Sequence, residues 1–257
     1  IAFGNSNAHQ LLAFGLIIRF EDVTYVIDNC AIDSATLDFG LDAIASITWA
    51  GKGTTMRQVA TAVTLADSSG TTTLSGGLGG AAKSKDTTAA YIANKLSTLT
   101  LSSLAFGGLS AKAYTLALTG GNLTISNNLT FLTPANLGVV NQPITYFTGT
   151  RAVTSTVTCY LKTGTNESST LLKDMLVASS SSTENKFAAE ISLGGTLNTN
   201  KVVLNIPTAQ LTIPSITSEQ IIATSITMTA QGATSGAYDL EAKNELEVKY
   251  FATNTTV

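Results

Sequence analysis

Leu123-Thr-Ile-Ser-Asn-Asn-Leu-Thr-Phe-Leu132 and Arg151-Ala-Val-Thr-Ser-Thr-Val-Thr-Cys-Tyr-Leu161 alternate apolar and polar residues on either side of the loop Leu132-Thr-Pro-Ala-Asn-Leu-Gly-Val-Val-Asn-Gln-Pro-Ile-Thr-Tyr-Phe-Thr-Gly-Thr150. Period two is the spacing at which a pleated strand returns a side chain to the same face. Val153, Val157, Cys159 and Leu161 share one face, opposed by Thr154, Thr156 and Thr158. Threonine favours extended backbone through its branched Cβ and adds no charge. These are strands of a sheet with one covered face.

The same period recurs outward from this stretch. Ile18 and Phe20, a polar Glu21-Asp22 break, then Val23, Tyr25 and Ile27 predict a tight hairpin. Leu41, Ala43, Ala45, Ile47 and Trp49 predict a covered face opposed by Asp42, Ser46 and Thr48. Between Val202 and Ile213 the apolar parity changes, from Leu204 and Ile206 to Ala209, Leu211 and Ile213, so a bulge is expected at Pro207-Thr208. Ile222, Ile226 and Met228 form another core face, and Leu246, Val248 and Tyr250, between Glu245, Glu247 and Lys249, a last strand.

Two segments have helical spacing instead. Asp86 is placed to cap Thr87 to Leu99, with Tyr91, Ile92, Leu96 and Leu99 on one side; Ser168 or Ser169 starts a second helix with the stripe Leu171, Leu172, Met175 and Leu176. The chain is therefore expected to be mainly β, a sandwich or barrel with short flanking helices. A long strand pair, a polar loop and a helix occur twice in order, which predicts two similar units in tandem, 1–121 and 122–257. The first has little sequence before Val23 and Ile1 is not Met, so residues upstream of Ile1 are expected.

Composition narrows the function classes. Charged residues make up only 12% of the 257, about half the usual share, and hydrophobic residues 44%. So few ionic groups suit a subunit that buries much of its surface against neighbours. The net charge of −3 argues against a surface that grips phosphates. Cys30 and Cys159 allow one disulfide, but read better as buried free thiols. No apolar run approaches the roughly 18 to 20 residues of a membrane helix.

Catalytic and cofactor motifs are weak. The single histidine, His9, has no Cys, Asp or Glu at ligand spacing, which disfavours a triad or a metal site. Gly51-Lys-Gly-Thr-Thr55 lacks the first glycine of a phosphate loop, where Ser46 stands, and reads as a turn. Ser75-Gly-Gly-Leu-Gly-Gly80 reads as a flexible loop. Asp33, Asp38 and Asp42 have no aromatic sugar platform beside them and read as a solvated face. No enzyme activity, cofactor or metal is expected.

Ile125-Ser-Asn-Asn-Leu-Thr-Phe-Leu-Thr-Pro134, Leu137-Gly-Val-Val-Asn-Gln-Pro143, Thr148-Gly-Thr-Arg151 and Thr158-Cys-Tyr-Leu161 resemble a core segment of the major tail tube proteins of long flexible-tailed (siphovirus-type) bacteriophages. Ile32-Asp33, Leu37-Asp-Phe39, Ile44-Ala45 and Trp49-Ala-Gly-Lys-Gly53 are similar to another part of the same group, as is the strand Glu245 to Phe251. The resemblance covers about half the chain. It implies a β-sandwich flanked by a helix, in rings that stack into a hollow virion tail tube assembled in the host cytoplasm. Rings of the internally duplicated kind are trimeric and pseudo-hexameric; others are hexameric. Implied partners are further copies, tape measure and tail tip or terminator proteins, and double-stranded DNA passing the lumen without specific binding; no membrane is implied. On this resemblance Asp38 and Asp42 are candidates for lumen charge, and the loops around Ser75 to Asp86 and Phe131 to Phe147 for ring stacking. The alternative is a Thr-rich β-sandwich module of a secreted adhesin or surface-layer protein, for which neither a signal peptide nor calcium loops are found.

Overall fold

The computed structural model of the chain describes residues 11–20, 23–41, 43–59, 63–67, 70–74, 97–103, 111–133, 143, 145–178, 185–194, 201–212, 215–217, 223–231 and 245–251. The expected hairpin forms between β1 (Phe14–Phe20) and β2 (Val23–Gly40), antiparallel with Phe20 opposite Val23. β2 is long enough to serve two sets of neighbours. Its first half lies between β1 and β4 (Thr55–Val59), and its second half pairs with β3 (Ser46–Lys52). β3 and β4 thus follow one another along the same edge of β2.

Gly51-Lys-Gly-Thr-Thr55 is consequently not the turn expected from its glycines. The chain stays on β2, with the Thr54 N–H donating to the Asp28 carbonyl at 2.9 Å. A Cβ on Gly53 would collide with the Ile27 side chain and sit 2.9 Å from the Asp28 carbonyl oxygen, so glycine is required by close approach. Opposite this point β2 carries an extra residue and Asn29 turns left-handed at φ 49°. Arg57 clamps Asp28 with two hydrogen bonds, at 2.9 and 3.3 Å.

β5 (Val63–Asp67) and β6 (Gly70–Leu74) form a separate two-stranded hairpin. The helix expected over 87–99 falls on residues outside the description except at its end, where Thr98 and Leu99 belong to β7 (Thr98–Ser103). Leu99 and Leu101 alternate inward there, so strand packing overrides the helical spacing. β7 pairs with β8 (Ala113–Leu116).

The stretch from Leu123 to Leu161 folds as a second long hairpin. β9 (Leu118–Ser126) pairs with β12 (Ala152–Tyr160), and further out β10 (Leu129–Leu132) pairs with β11 (Thr145–Thr148). The ends of the expected loop 132–150 are therefore strand. Val153, Val157 and Cys159 are buried as anticipated, while Leu161 lies past the strand end and is half-buried.

Helix α1 (Ser168–Ala178) begins where Ser168 ties it to β12: its hydroxyl donates to the Tyr160 carbonyl at 2.8 Å and accepts the Lys162 N–H at 2.7 Å. Leu171 and Met175 are buried, Leu172 is half-buried, and Leu176 is exposed, so the covered stripe is narrower than expected. Lys112 and Tyr114 both reach the Asp174 carboxylate at 2.7 Å and pin the helix over β8. Burial raises the Asp174 carboxyl, but the Lys112 and Tyr114 hydrogen bonds and the Lys112 and Lys173 charges outweigh it and hold the group below its ordinary value. Burial, then the bond to Asp174, pushes the Tyr114 hydroxyl well up.

β13 (Phe187–Gly194) pairs with β7 and with β14 (Lys201–Leu211). Phe187 opposes Ala209 while Ala189 opposes Ile206, which leaves one extra residue on β14 at the Pro207-Thr208 step. That is the expected bulge. The other edge of β14 changes partner at the same place, from β17 (Glu247–Phe251) at 201–205 to β16 (Ala223–Ala230) at 209–211, so no ladder bond is asked of Pro207. β15 (Ser215–Thr217) continues along β16. Leu246 is buried and Val248 packs on the core, whereas Tyr250 is exposed, against expectation.

The main sheet runs β1-β2-β9-β12-β16-β14-β13-β7-β8. Leu123, Val157 and Ile226 from one half and Leu101, Ile191 and Leu204 from the other enter a single hydrophobic cluster with Leu171 and Met175 of α1. Both halves of the strand order, with the bulged strand β14 between them, contribute to that one core. The molecule is mainly β, as expected.

Candidate functional site: two faces of one sheet

β3, β2, β9, β12 and β16 lie side by side, and their registers decide what each face presents. Residues directly opposite in antiparallel strands share a face. Thr48 is opposite Thr36, Thr36 opposite Thr124, Thr124 opposite Thr154, and Thr154 opposite Thr229. A parallel row follows through Ser46, Asp38, Asn122, Thr156 and Thr227. Five strands thus align their hydroxyl and amide side chains on one surface. The Thr36 and Thr124 hydroxyls are 3.2 Å apart, and those of Thr156 and Thr227 3.4 Å.

Asp38 stands on this surface, exposed, between Ser46 and Asn122. Asp42 and His9 lie outside the described residues, as do Ser75 to Gly80 and the loop to Asp86. Asp33 has a different task from Asp38: its carboxylate accepts the Leu129 N–H at 2.8 Å and its carbonyl the Asn127 N–H at 2.7 Å. It fastens the start of β10 to β2 at a bulge. Asp33 and Asp38, the two of these aspartates that are described, thus have separate surroundings.

The opposite face is apolar, and its cover runs out. Along one row Met228 is 0% exposed, Leu123 2%, Leu37 partly buried and Ile47 53%. In the next row Val153 is buried, Ile125 packs on the core, and Trp49 on β3 is 60% exposed. The covered face predicted for Leu41, Ala43, Ala45, Ile47 and Trp49 is thus not covered in the single chain: Leu41 to Ala45 precede the strand, and Leu41, Ala43, Ile47 and Trp49 are all exposed. Every residue of β3 is exposed. Covering a large apolar side chain is worth about 1.5–3 kcal/mol, so Ile47 and Trp49 leave several kcal/mol unclaimed. Among the described residues β3 pairs only with β2, which leaves its outer backbone edge open.

Beside this overhang Phe14, Leu16, Ile27, Ala31 and Trp49 line an apolar groove of about 470 Å³. Cys30 also borders it, as a buried free thiol that burial pushes up. Cys159 is likewise free and buried, pushed up to about 11 by burial. Among the described residues no group of three or more His, Cys, Asp or Glu is placed to hold a metal ion, and no helix is long and apolar enough to cross a membrane.

The sequence is 27% identical over 233 residues to the tail tube protein pb6 of Escherichia phage T5. The chain is similar to a phage tail tube protein. The match takes in 88% of this chain and 46% of the phage protein, so the chain spans about half the length of this curated relative. The tail-tube resemblance carried by segments between Ile125 and Leu161, by Val23 to Gly53 and by Glu245 to Phe251 is thereby borne out. No family model matches. Among solved structures, the anti-feeding prophage baseplate, symmetrised sixfold, overlaps 61% of this chain and 93% of its own at 10% identity, with a TM-score of 0.38, too low to bear on the fold.

The periodicity located β1, β9, β12, β14, β16 and β17 and parts of β2 and β3, but not β7, β8 or β13, and it missed the alignment of threonines across strands. That alignment depends on register between strands far apart in sequence, such as Thr36 with Thr124, for which no local signal exists.

Proposed function

We propose that this chain is a structural subunit that polymerises into stacked rings forming a phage tail tube, a conduit for genome delivery into the host bacterium. The observation that carries the proposal is the apolar sheet face that continues past its own cover onto β3, taken with the tail-tube likeness over 233 residues. A neighbouring copy that covers Ile47 and Trp49 and pairs with the open edge of β3 would remove an exposed strand edge and an apolar overhang together. The opposite, hydroxyl-bearing face then lines the lumen, with Asp38 as its candidate charge and Asp42 as a second.

The stretches 1–121 and 122–257 are read as tandem units led by the strand pairs Val23 to Trp49 and Leu123 to Leu161, which meet through β2 and β9. Two such units per chain favour a trimeric, pseudo-hexameric ring over a hexameric one. The hairpin β10–β11, with Leu132 and Phe147 exposed, is a candidate for ring-to-ring stacking. Tape measure and tail tip or terminator proteins are the expected partners, and duplex DNA passes without specific binding. The subunit works by assembly rather than catalysis.

Negative-stain microscopy of the purified full-length protein tests this. Rings or tubes are expected; a persistent monomer under conditions where phage tails are stable would overturn it.

A further inference from the structure

Resting on the tube proposal, we infer that Lys52 and Asp33 brace the β10–β11 hairpin from the strand edge that takes the lateral neighbour, so that closing a ring and stacking it are coupled. Residues directly opposite in the hairpin share a face. Leu129, Phe131 and Tyr146 form its inner face and are half-buried, while Thr130, Leu132, Thr145 and Phe147 form its outer face and are exposed. The outer face is the one offered for stacking. The inner face is where the chain holds the hairpin.

The first brace is at the base. Ile32 pairs with Gly51 and Ser34 with Ala50, which leaves Asp33 as an extra residue of β2 opposite β3. Such a bulge takes a residue out of the ladder and re-aims it. The Asp33 carboxylate and carbonyl accordingly accept the N–H groups of Leu129 and Asn127, and the Asn127 side-chain amide donates to the Ile32 carbonyl at 2.8 Å. The second brace lies further out. The Lys52 ammonium, at the end of β3, is 5.6 Å from the centre of the Phe131 ring, within cation–π range. Phe131 in turn meets the Tyr146 ring at 5.8 Å. Gly51 ties the two braces together: a Cβ there would sit 2.5 Å from the Ala31 carbonyl oxygen, so β3 presses on the backbone of β2 beside the bulge.

Both braces thus depend on the register of β3 on β2. Among the described residues β3 has one ladder partner, and every one of its residues is exposed. A strand so held opens locally at little cost. A neighbouring copy that pairs with its outer edge suppresses that opening and fixes Lys52 and the bulge together. The hairpin is then held at one angle before it meets the next ring, and the entropy of ordering it is no longer lost at stacking. Closed rings are therefore expected to stack more readily than subunits.

Lys52 acts here as a positioning residue, and its removal alters neither the outer face of the hairpin nor Ile47 and Trp49. The test compares the full-length wild type with Lys52→Ala, Lys52→Met and Lys52→Arg, with rings and tubes counted by negative stain across a dilution series. An exposed cation–π contact is worth about two- to fivefold per chain, and its loss compounds over the chains of a ring. The Ala and Met variants should close rings at the wild-type concentration and need at least about tenfold more protein to form tubes. Lys52→Arg, whose guanidinium stacks on an aromatic face, should form tubes as the wild type does. Phe131→Leu removes the ring from the other side of the contact and should match Lys52→Ala, with the double variant adding little to either.

Tubes of Lys52→Ala at the wild-type concentration would overturn the coupling. So would loss of its rings, which would put Lys52 in the lateral contact itself. Either result leaves the tube proposal standing as long as the wild type makes tubes. A wild type that makes neither rings nor tubes defeats the tube proposal and this inference together.

Discussion

β12 and β3 lie in the same sheet with β9 and β2 between them, alternate in the same way, and contribute to the same threonine row. Val153, Val157 and Cys159 are buried, while Ile47 and Trp49 on the same face are exposed. The difference is not in the strands but in what lies across from them: β12 faces the other half of the sheet and α1, and β3 reaches beyond both. Alternation therefore tells which residues want cover, and not whether their own chain supplies it. In a tube subunit the residues left uncovered are the ones expected to meet another copy.

The comparison breaks most visibly if charge is placed on each strand in turn. Val157→Asp puts a carboxylate at a fully buried site, and a loss of several kcal/mol is expected, enough to unfold the chain in thermal melts followed by circular dichroism. Trp49→Asp should leave the fold of the isolated chain intact and abolish assembly. A Trp49 variant that unfolds the monomer would show that β3 is already covered within the chain.

A smaller effect sharpens the covered side. Asp174→Ala removes the acceptor for the buried Tyr114 hydroxyl and should cost about 1–3 kcal/mol in denaturant unfolding. The same clasp sets a pH window. The Asp174 carboxyl is held below its ordinary 3.8 in the folded chain, so its stabilisation is present above that value and lost as pH falls through the folded one. The Tyr114 hydroxyl is raised above its ordinary 10.0, so its stabilisation is present below that value and lost as pH rises beyond it. Melts across pH should show both limbs, and Asp174→Ala should flatten the acid one.

The smallest change is expected at the overhang of the isolated chain. Trp49→Ala should alter monomer stability by no more than about 0.5 kcal/mol, the usual range for exposed positions.

Much of this architecture was legible in the sequence because it is written locally. The alternation of Val153 to Cys159 and of Leu246 to Val248 marks strands. The parity change about Pro207 marks a bulge, since an extra residue is the only way to keep Ile206 and Ala209 both inward. The rest depended on distant partners. Gly51 and Gly53 look like turn residues but serve the close approach of β3 and β4 to β2. Leu99 carries helical spacing yet lies inward on a strand against β13, and Tyr250 alternates correctly but at a strand that outruns its cover. For the candidate site, Asp38 was found as an exposed acid, while the threonine rows around it arise only when β2, β9, β12 and β16 take their registers.

The single tryptophan of the sequence stands on the disputed strand. Its fluorescence, read with acrylamide quenching before and after assembly of the full-length protein with any other tryptophans replaced by phenylalanine, tests whether β3 is covered only by another copy. Red-shifted, readily quenched emission is expected from the subunit and blue-shifted, protected emission from the tube. Emission that stays exposed in assembled tubes would contradict it.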